Sequence, residues 1–271
     1  MVRHFYTDDI TDISERELLP LCRTIAPPAC LLGGWAVHFH VNDGFEEAYG
    51  REYIGSRDVD FGFHVDPDWS PEQLLESPIG RSVRGVTDAG YDPLSFRFVR
   101  YFDREDGEPL TDAESRELPS HRVFNLYLDM IADTPNLETF RDVLGFTPPA
   151  DPLLDAVFSE GSGEPLAELR AWDIPESVLI ADPDLVASMK IRSIPDRDRE
   201  QKRVKDVADL HSLLWYTREY RQMRTAVRSR LSEEDFDRLR RHVDRELYEQ
   251  AANLLQIEFE LVQDTIEQLM Q

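Results

Sequence analysis

With 271 residues, 41% of them hydrophobic, the chain can bury a full core as one large domain or two modest ones, and two lobes are expected. No apolar run approaches the roughly 20 residues that span a bilayer, and the opening MVRHFYTDDI lacks the apolar stretch of a signal peptide, so a cytoplasmic protein without a membrane partner is expected. The formal net charge of −24 comes from 54 acidic against 30 basic residues, and Lys190, Lys202 and Lys205 are the only lysines, a balance that resembles salt-in halophilic proteins and is weak evidence against a nucleic-acid substrate.

Residues 14–26 read as an amphipathic helix with Ser14 as cap and Glu17 three positions on, ended by Pro27 and Pro28. The apolar ACLL run that follows is a short buried strand delivered into Gly33-Gly34, and WAVHFHV starts the next helix. DGFEEAYGREYIGS then reads as an inserted loop. Cys22 and Cys30 fit neither a zinc-ligand spacing nor a disulfide framework and are small core residues. RDVDFGFHV alternates with period two, which makes it a strand with Asp58 and Asp60 on one face; LSFRFVRYF (94–102) and RVFNLYLDMI (122–131) alternate too and are its partners. The acidic stretch between those two is an exposed loop.

From about residue 182 the period changes to 3.6, and helices are expected over 182–194, 200–217, 218–230, 232–250 and 251–269, with Ser232 as a cap. The result is an α+β protein: an N-terminal mixed sheet flanked by helices (1–181) and a C-terminal helical domain (182–271).

Two aspartates at i and i+2 on a strand can ligate divalent ions together, and Mg²⁺ or Mn²⁺ prefers such carboxylate oxygens. Asp58 and Asp60 offer this arrangement. A glycine pair between a strand and a helix lets backbone amides approach phosphate without a Cβ in the way. Asp129 lies on the face of Asn125 and Tyr127, opposite Leu126, Leu128 and Met130, and is the candidate third carboxylate; Asp133, in the turn beyond, is the fallback. Arg57 is either a phosphate contact or the salt-bridge partner of a neighbouring acid. The histidines, His64 and His211 among them, are expected to be core or surface residues.

Gly33, Gly34, Asp58 and Asp60 together resemble the pattern of the polymerase-beta-like nucleotidyltransferase superfamily, with Gly34 where that family often has serine. The run from Asp182 to Leu214 resembles the AbiEii-type members, toxins of toxin-antitoxin pairs, with Lys190 matching their helical lysine and Asp206 and Asp209 their D-x-x-D. The resemblance implies a metal-dependent nucleotidyltransferase that uses a nucleoside triphosphate. Asp58, Asp60 and Asp129 would hold metal, Lys190 would reach triphosphate, and Gly33, Gly34, Arg57, Asp206 and Asp209 would complete the nucleotide site. It further implies an RNA acceptor such as tRNA and a cognate antitoxin partner. Lys202 and Lys205, each four residues before one of the D-x-x-D aspartates, fit ion pairing along the helix. The basic residues Lys190, Arg192, Arg197, Arg199, Lys202, Arg203 and Lys205 are the candidate track for an RNA backbone. GGWAV followed by RDVDF also resembles aminoglycoside-type enzymes, to which an acidic surface would suit a polycationic acceptor. A degenerate, non-catalytic binding module is the third reading, disfavoured by the three aspartates and the lysine standing in register.

Overall fold

The computed structural model describes residues 6–137 and 140–271, an α+β arrangement that falls into two compact units. One unit takes in Thr7–Trp35 and Gly55–Ala181; the other takes in Ala36–Ile54 and Asp182–Gln271. The chain enters the helical unit at residue 182, and residues 36–54 also belong there. Among the described residues, no helix is long and apolar enough to cross a membrane.

The sheet unit opens with α1 (Asp8–Thr24) and β1 (Ala29–Leu32), and β1 passes without a loop into α2 (Gly33–Tyr49). Next come β2 (Asp58–Phe63), α3 (Pro71–Glu76), α4 (Pro78–Asp88), β3 (Asp92–Leu94), β4 (Arg97–Asp103), β5 (Pro109–Leu110), α5 (Asp112–Glu117) and β6 (Val123–Ala132). The short elements α6 (Phe140–Leu144), α7 (Asp155–Ser159), β7 (Gly163–Pro165) and α8 (Leu166–Arg170) lead to β8 (Val178–Ala181). The strands form one mixed sheet in the order β3-β4-β6-β2-β1-β8-β7, with β5 on β4. β2 runs parallel to β6 and antiparallel to β1, while β1 runs parallel to β8. Every residue of β1 is buried, as a central strand covered on both faces requires. β6 begins in alternation, with Phe124, Leu126 and Leu128 buried, and stays buried through Met130.

Several elements differ from expectation for local reasons. α1 begins at Asp8 rather than Ser14; Asp8 and Asp9 in its first turn suit the helix dipole, and Ser14 is instead buried, accepting a hydrogen bond from Trp35 Nε1 at 3.0 Å. The expected strand over 94–102 is a hairpin: Leu94 pairs with Arg97 around a two-residue turn in which Ser95 adopts φ 59°. Within the acidic stretch between β4 and β6, Thr111 and Glu114 form a capping box that starts α5. The expected inserted loop is in large part helix, since α2 continues to Tyr49 and is closed by Gly50 at φ 66°.

The helical unit holds α9 (Pro183–Ser193), α10 (Glu200–Tyr216), α11 (Tyr220–Arg230), α12 (Glu233–His242), α13 (Arg245–Leu255) and α14 (Phe259–Leu269). The two long helices expected over 232–269 are three. Asp244 caps α13 by accepting from Leu247 N at 2.9 Å, and Gln256 at φ 51° ends it. Ser232 caps α12 through a capping box with Asp235. α10 is the central element, with every residue from Val204 to Leu214 buried and α9, α13 and α14 packed on it. Gly44 of α2 belongs to this packing, because a Cβ there would stand 2.5 Å from the carbonyl oxygen of Tyr216.

Candidate functional site

The sheet register places the three expected carboxylates on one face. Asp58 pairs with Tyr127, and Asp60 pairs with Asp129, across the parallel β2–β6 ladder; side chains of paired residues project to the same side. On its other flank Asp60 pairs with Leu32, the last residue of β1. Val59, between the two aspartates, is fully buried.

The glycine pair has a definite steric task. A Cβ on Gly33 would overlap Oδ2 of Asp60, and Gly33 sits at φ 63°, so the start of α2 and the Asp60 carboxylate meet at a point where only hydrogen fits. A Cβ on Gly34 would stand 2.5 Å from Ser56 Oγ, and that hydroxyl donates to the backbone oxygen of Asp58 at 3.0 Å. Both glycines thus seat the segment that carries the aspartates, and the positive end of α2 lies against Asp60.

Asp129 is engaged by protein. Arg97 donates to its Oδ2 at 2.9 Å, and the guanidinium carbon of Arg97 lies 4.6 Å from the ring centre of Phe96 and 4.8 Å from that of Tyr127. Phe96 is half exposed beside it, at 47%. Arg97 is the residue that the sequence does not reveal: it lies within an alternating strand, and only the β4–β6 pairing brings it to Asp129. Arg57 packs its guanidinium carbon 5.7 Å from the ring centre of Phe124. The fallback Asp133 is not part of this group, since its two oxygens take Val65 N at 2.9 Å and His64 Nδ1 at 2.6 Å.

Lys190, Asp206 and Asp209 lie in the helical unit, where they bind one another. Lys190 Nζ donates to Asp206 Oδ1 at 2.5 Å and to Asp209 Oδ2 at 2.7 Å, and all three residues are buried. Arg197 Nε donates to Asp206 Oδ2 at 2.6 Å, Lys205 pairs with Asp209, and Tyr53 OH donates to Asp209 Oδ1 at 2.8 Å. Burial alone would lower the Lys190 pKa, but Asp206 and Asp209 outweigh it and hold the ammonium above its ordinary value. Burial would raise Asp206, yet Lys190 and Arg197 bring it down to about 2. For Lys205 burial dominates and the pKa falls. The expected pairing of Lys205 with Asp209 is present, while Asp206 is held by Lys190 and Arg197.

The candidate RNA track is correspondingly thinned. Lys190 and Lys205 are buried, Arg197 is tied to Asp206, and Arg203 donates to the backbone oxygen of Arg197 at 2.6 Å. Comparison of the chain with protein-family models, curated proteins and solved structures finds no match.

Proposed function

We propose that this chain is a metal-dependent nucleotidyltransferase, moving a nucleoside monophosphate from a triphosphate to an acceptor. One observation carries the reading: Asp58 and Asp60 share a face of β2, with Asp60 in register with Asp129 and seated on Gly33 where β1 becomes α2. Paired carboxylates such as the partly buried Asp58 and Asp60 are the donor set that a hard divalent cation such as Mg²⁺ or Mn²⁺ takes, with these two as its holders and the buried Asp129 as the third. Bound there, the cation would neutralise charge developing on the transferring phosphoryl group.

The chain's own part is positioning. Gly33 and Gly34 keep the β2 segment against the helix start, Arg97 holds Asp129, and Arg57 is the candidate phosphate contact. In the transfer an acceptor hydroxyl would attack the α-phosphorus and give up its proton to a base or solvent, as the bond from the α-phosphorus to the leaving pyrophosphate breaks. Lys190, Asp206 and Asp209 enter this reading as the charged core of the helical unit rather than as free ligands for triphosphate.

An RNA acceptor, with the chain as the toxin of a toxin-antitoxin pair, remains the proposed setting. The net charge of −24 favours a second acceptor class, polycationic small molecules of the aminoglycoside type. The test is direct: the protein in high salt is given each labelled triphosphate with Mg²⁺ or Mn²⁺ and either total RNA or an aminoglycoside panel. Label should move to one acceptor class, and Asp60→Ala and Asp58→Ala should abolish transfer while leaving the unfolding midpoint near that of the parent. Full turnover in the Asp60 variant would overturn the reading.

A further inference from the structure

A second cluster of ligating side chains lies in the sheet unit, at the ends of the parallel strands. His64 directly follows β2 and Asp133 directly follows β6, so the parallel pairing that aligns Phe63 with Ala132 delivers both to the same end of the sheet. His64 lies four positions beyond Asp60, about 13 Å of extended chain, so the cluster is distinct from the Asp58–Asp60 pair. A third group arrives from a different element. The turn at Pro152–Leu154 packs Leu154 against β2, where a Cβ on Gly62 would stand 2.6 Å from its methyl carbons, and the next residue is Asp155 at the start of α7.

The side chains of His64, Asp133 and Asp155 each bring one nitrogen or oxygen to within 4.8 Å of the others. Ligand bonds of about 2.0–2.2 Å place neighbouring donors roughly 3–4.4 Å apart, so this spacing closes around one ion with small side-chain adjustments. The imidazole is held in place: it contacts Asp133 at 2.6 Å and packs against Trp69 and Phe158, each ring centre 6.1 Å away.

Charge singles out this cluster within its unit. Among the described residues, the other buried carboxylates of this unit have an arginine partner: Glu17 has Arg100, Asp103 has Arg122 and Asp129 has Arg97. Asp133, with only 3% of its side chain exposed, has the His64 imidazole rather than an arginine against it, and among the described residues neither Asp133 nor Asp155 has a Lys or Arg ion-pair partner. Two carboxylates, the buried Asp133 and the exposed Asp155, thus share one exposed imidazole.

We propose that His64, Asp133 and Asp155 form a binding site for a first-row divalent transition-metal ion, of the zinc or manganese kind. An imidazole beside two carboxylates selects such an ion over Mg²⁺ or Ca²⁺, which take oxygen ligands. Bound there, the ion ties the ends of β2 and β6 to α7 and stabilises the sheet unit. The assignment is independent of the nucleotidyltransferase reading.

The test uses the full chain carrying Asp58→Ala and Asp60→Ala, so that the other carboxylates contribute no metal binding. After chelator treatment it is titrated with Co²⁺, followed by visible absorption, and its thermal unfolding is recorded with and without Zn²⁺ or Mn²⁺. Binding of one equivalent and a metal-dependent rise in unfolding temperature are expected. Adding Asp155→Asn or His64→Gln should weaken Co²⁺ at least tenfold and remove the rise; both alter exposed side chains, and Gln keeps a donor for Asp133. Mg²⁺ in excess should not displace Co²⁺. Failure of this background protein to bind Co²⁺ at millimolar concentration, or Co²⁺ affinity in both added variants unchanged from that of the background protein, overturns the assignment.

Discussion

A side-chain carbon on Gly33 would land on Oδ2 of Asp60, and the backbone of Gly33 stands at φ 63°, so this glycine is fixed twice, by its own conformation and by the carboxylate it faces. Gly33→Ala should destabilise the protein by at least about 2 kcal/mol, from left-handed backbone strain plus displacement of Asp60. In an Asp60→Ala background the second part disappears and the loss should fall to about 1 kcal/mol. Urea midpoints of the four proteins in this cycle give the coupling directly. Additive losses would show that Asp60 moves aside freely and that the close approach does not define the site.

The Arg97–Asp129 pair is partly buried, with side-chain exposures of 18% and 12%. Removing the cation alone leaves a carboxylate with reduced compensation, so Arg97→Ala should cost about 1–3 kcal/mol, and the double variant with Asp129→Asn should recover part of that. If Asp129 also holds metal, Arg97 competes with the ion. Arg97→Ala should then raise Mn²⁺ affinity several-fold, in a His64→Gln background that silences the other cluster, whereas Asp129→Asn should lower it. Equal Mn²⁺ affinity in both would remove Asp129 from the ligand set.

The strands that carry this site are legible in the sequence because their apolar periodicity is strong and each is covered on at least one face: β1, β2 and β6 are found within a residue or two of expectation. What pairs with what is not legible, since period two says which face a residue occupies but not which strand lies beside it. Arg97 and the His64–Asp133 contact are invisible for that reason. The length of α2 is missed because residues 43–56 are rich in acids and glycine, although its end is marked by Gly50 at φ 66°. Lys190, Asp206 and Asp209 are visible as a constellation, but their burial is not, because polar residues on a helix normally mark a solvated face and α10 is enclosed on all sides.

That enclosure sets the expectation for Lys190. Replacing it leaves Asp206 and Asp209, both buried, with Arg197 and Lys205 as their remaining cations. Lys190→Ala should therefore destabilise the protein by about 3–5 kcal/mol, read as a lowered urea midpoint, and any loss of activity should track the loss of fold. A Lys190→Ala protein as stable as the parent, but with triphosphate binding weakened, would instead assign the ammonium to substrate.

The acid limb of stability should be set by His211. It is fully buried in α10, its ring 6.4 Å from that of Trp215 and stacked on it, and neither ring nitrogen has a hydrogen-bond partner among the described residues. Burial pushes its pKa down to about 3 from an ordinary 6.5. A depressed folded-state value means that the unfolded chain takes up the proton first, so the stabilisation is complete above about pH 6.5 and is lost progressively as pH falls towards 3. The total is on the order of 4 kcal/mol. Asp206, held at about 2 where an unfolded aspartate has about 3.9, adds about 2 kcal/mol of loss below pH 4. His211→Leu replaces an imidazole without partners by an apolar side chain of similar size, and should leave stability at pH 7 within about 1 kcal/mol of the parent. Urea midpoints at constant high salt should then be nearly flat from pH 7 to 4.5 in this variant and fall steeply in the parent. The same slope in both proteins would show that His211 reaches water when protonated and that carboxylates alone govern the acid transition.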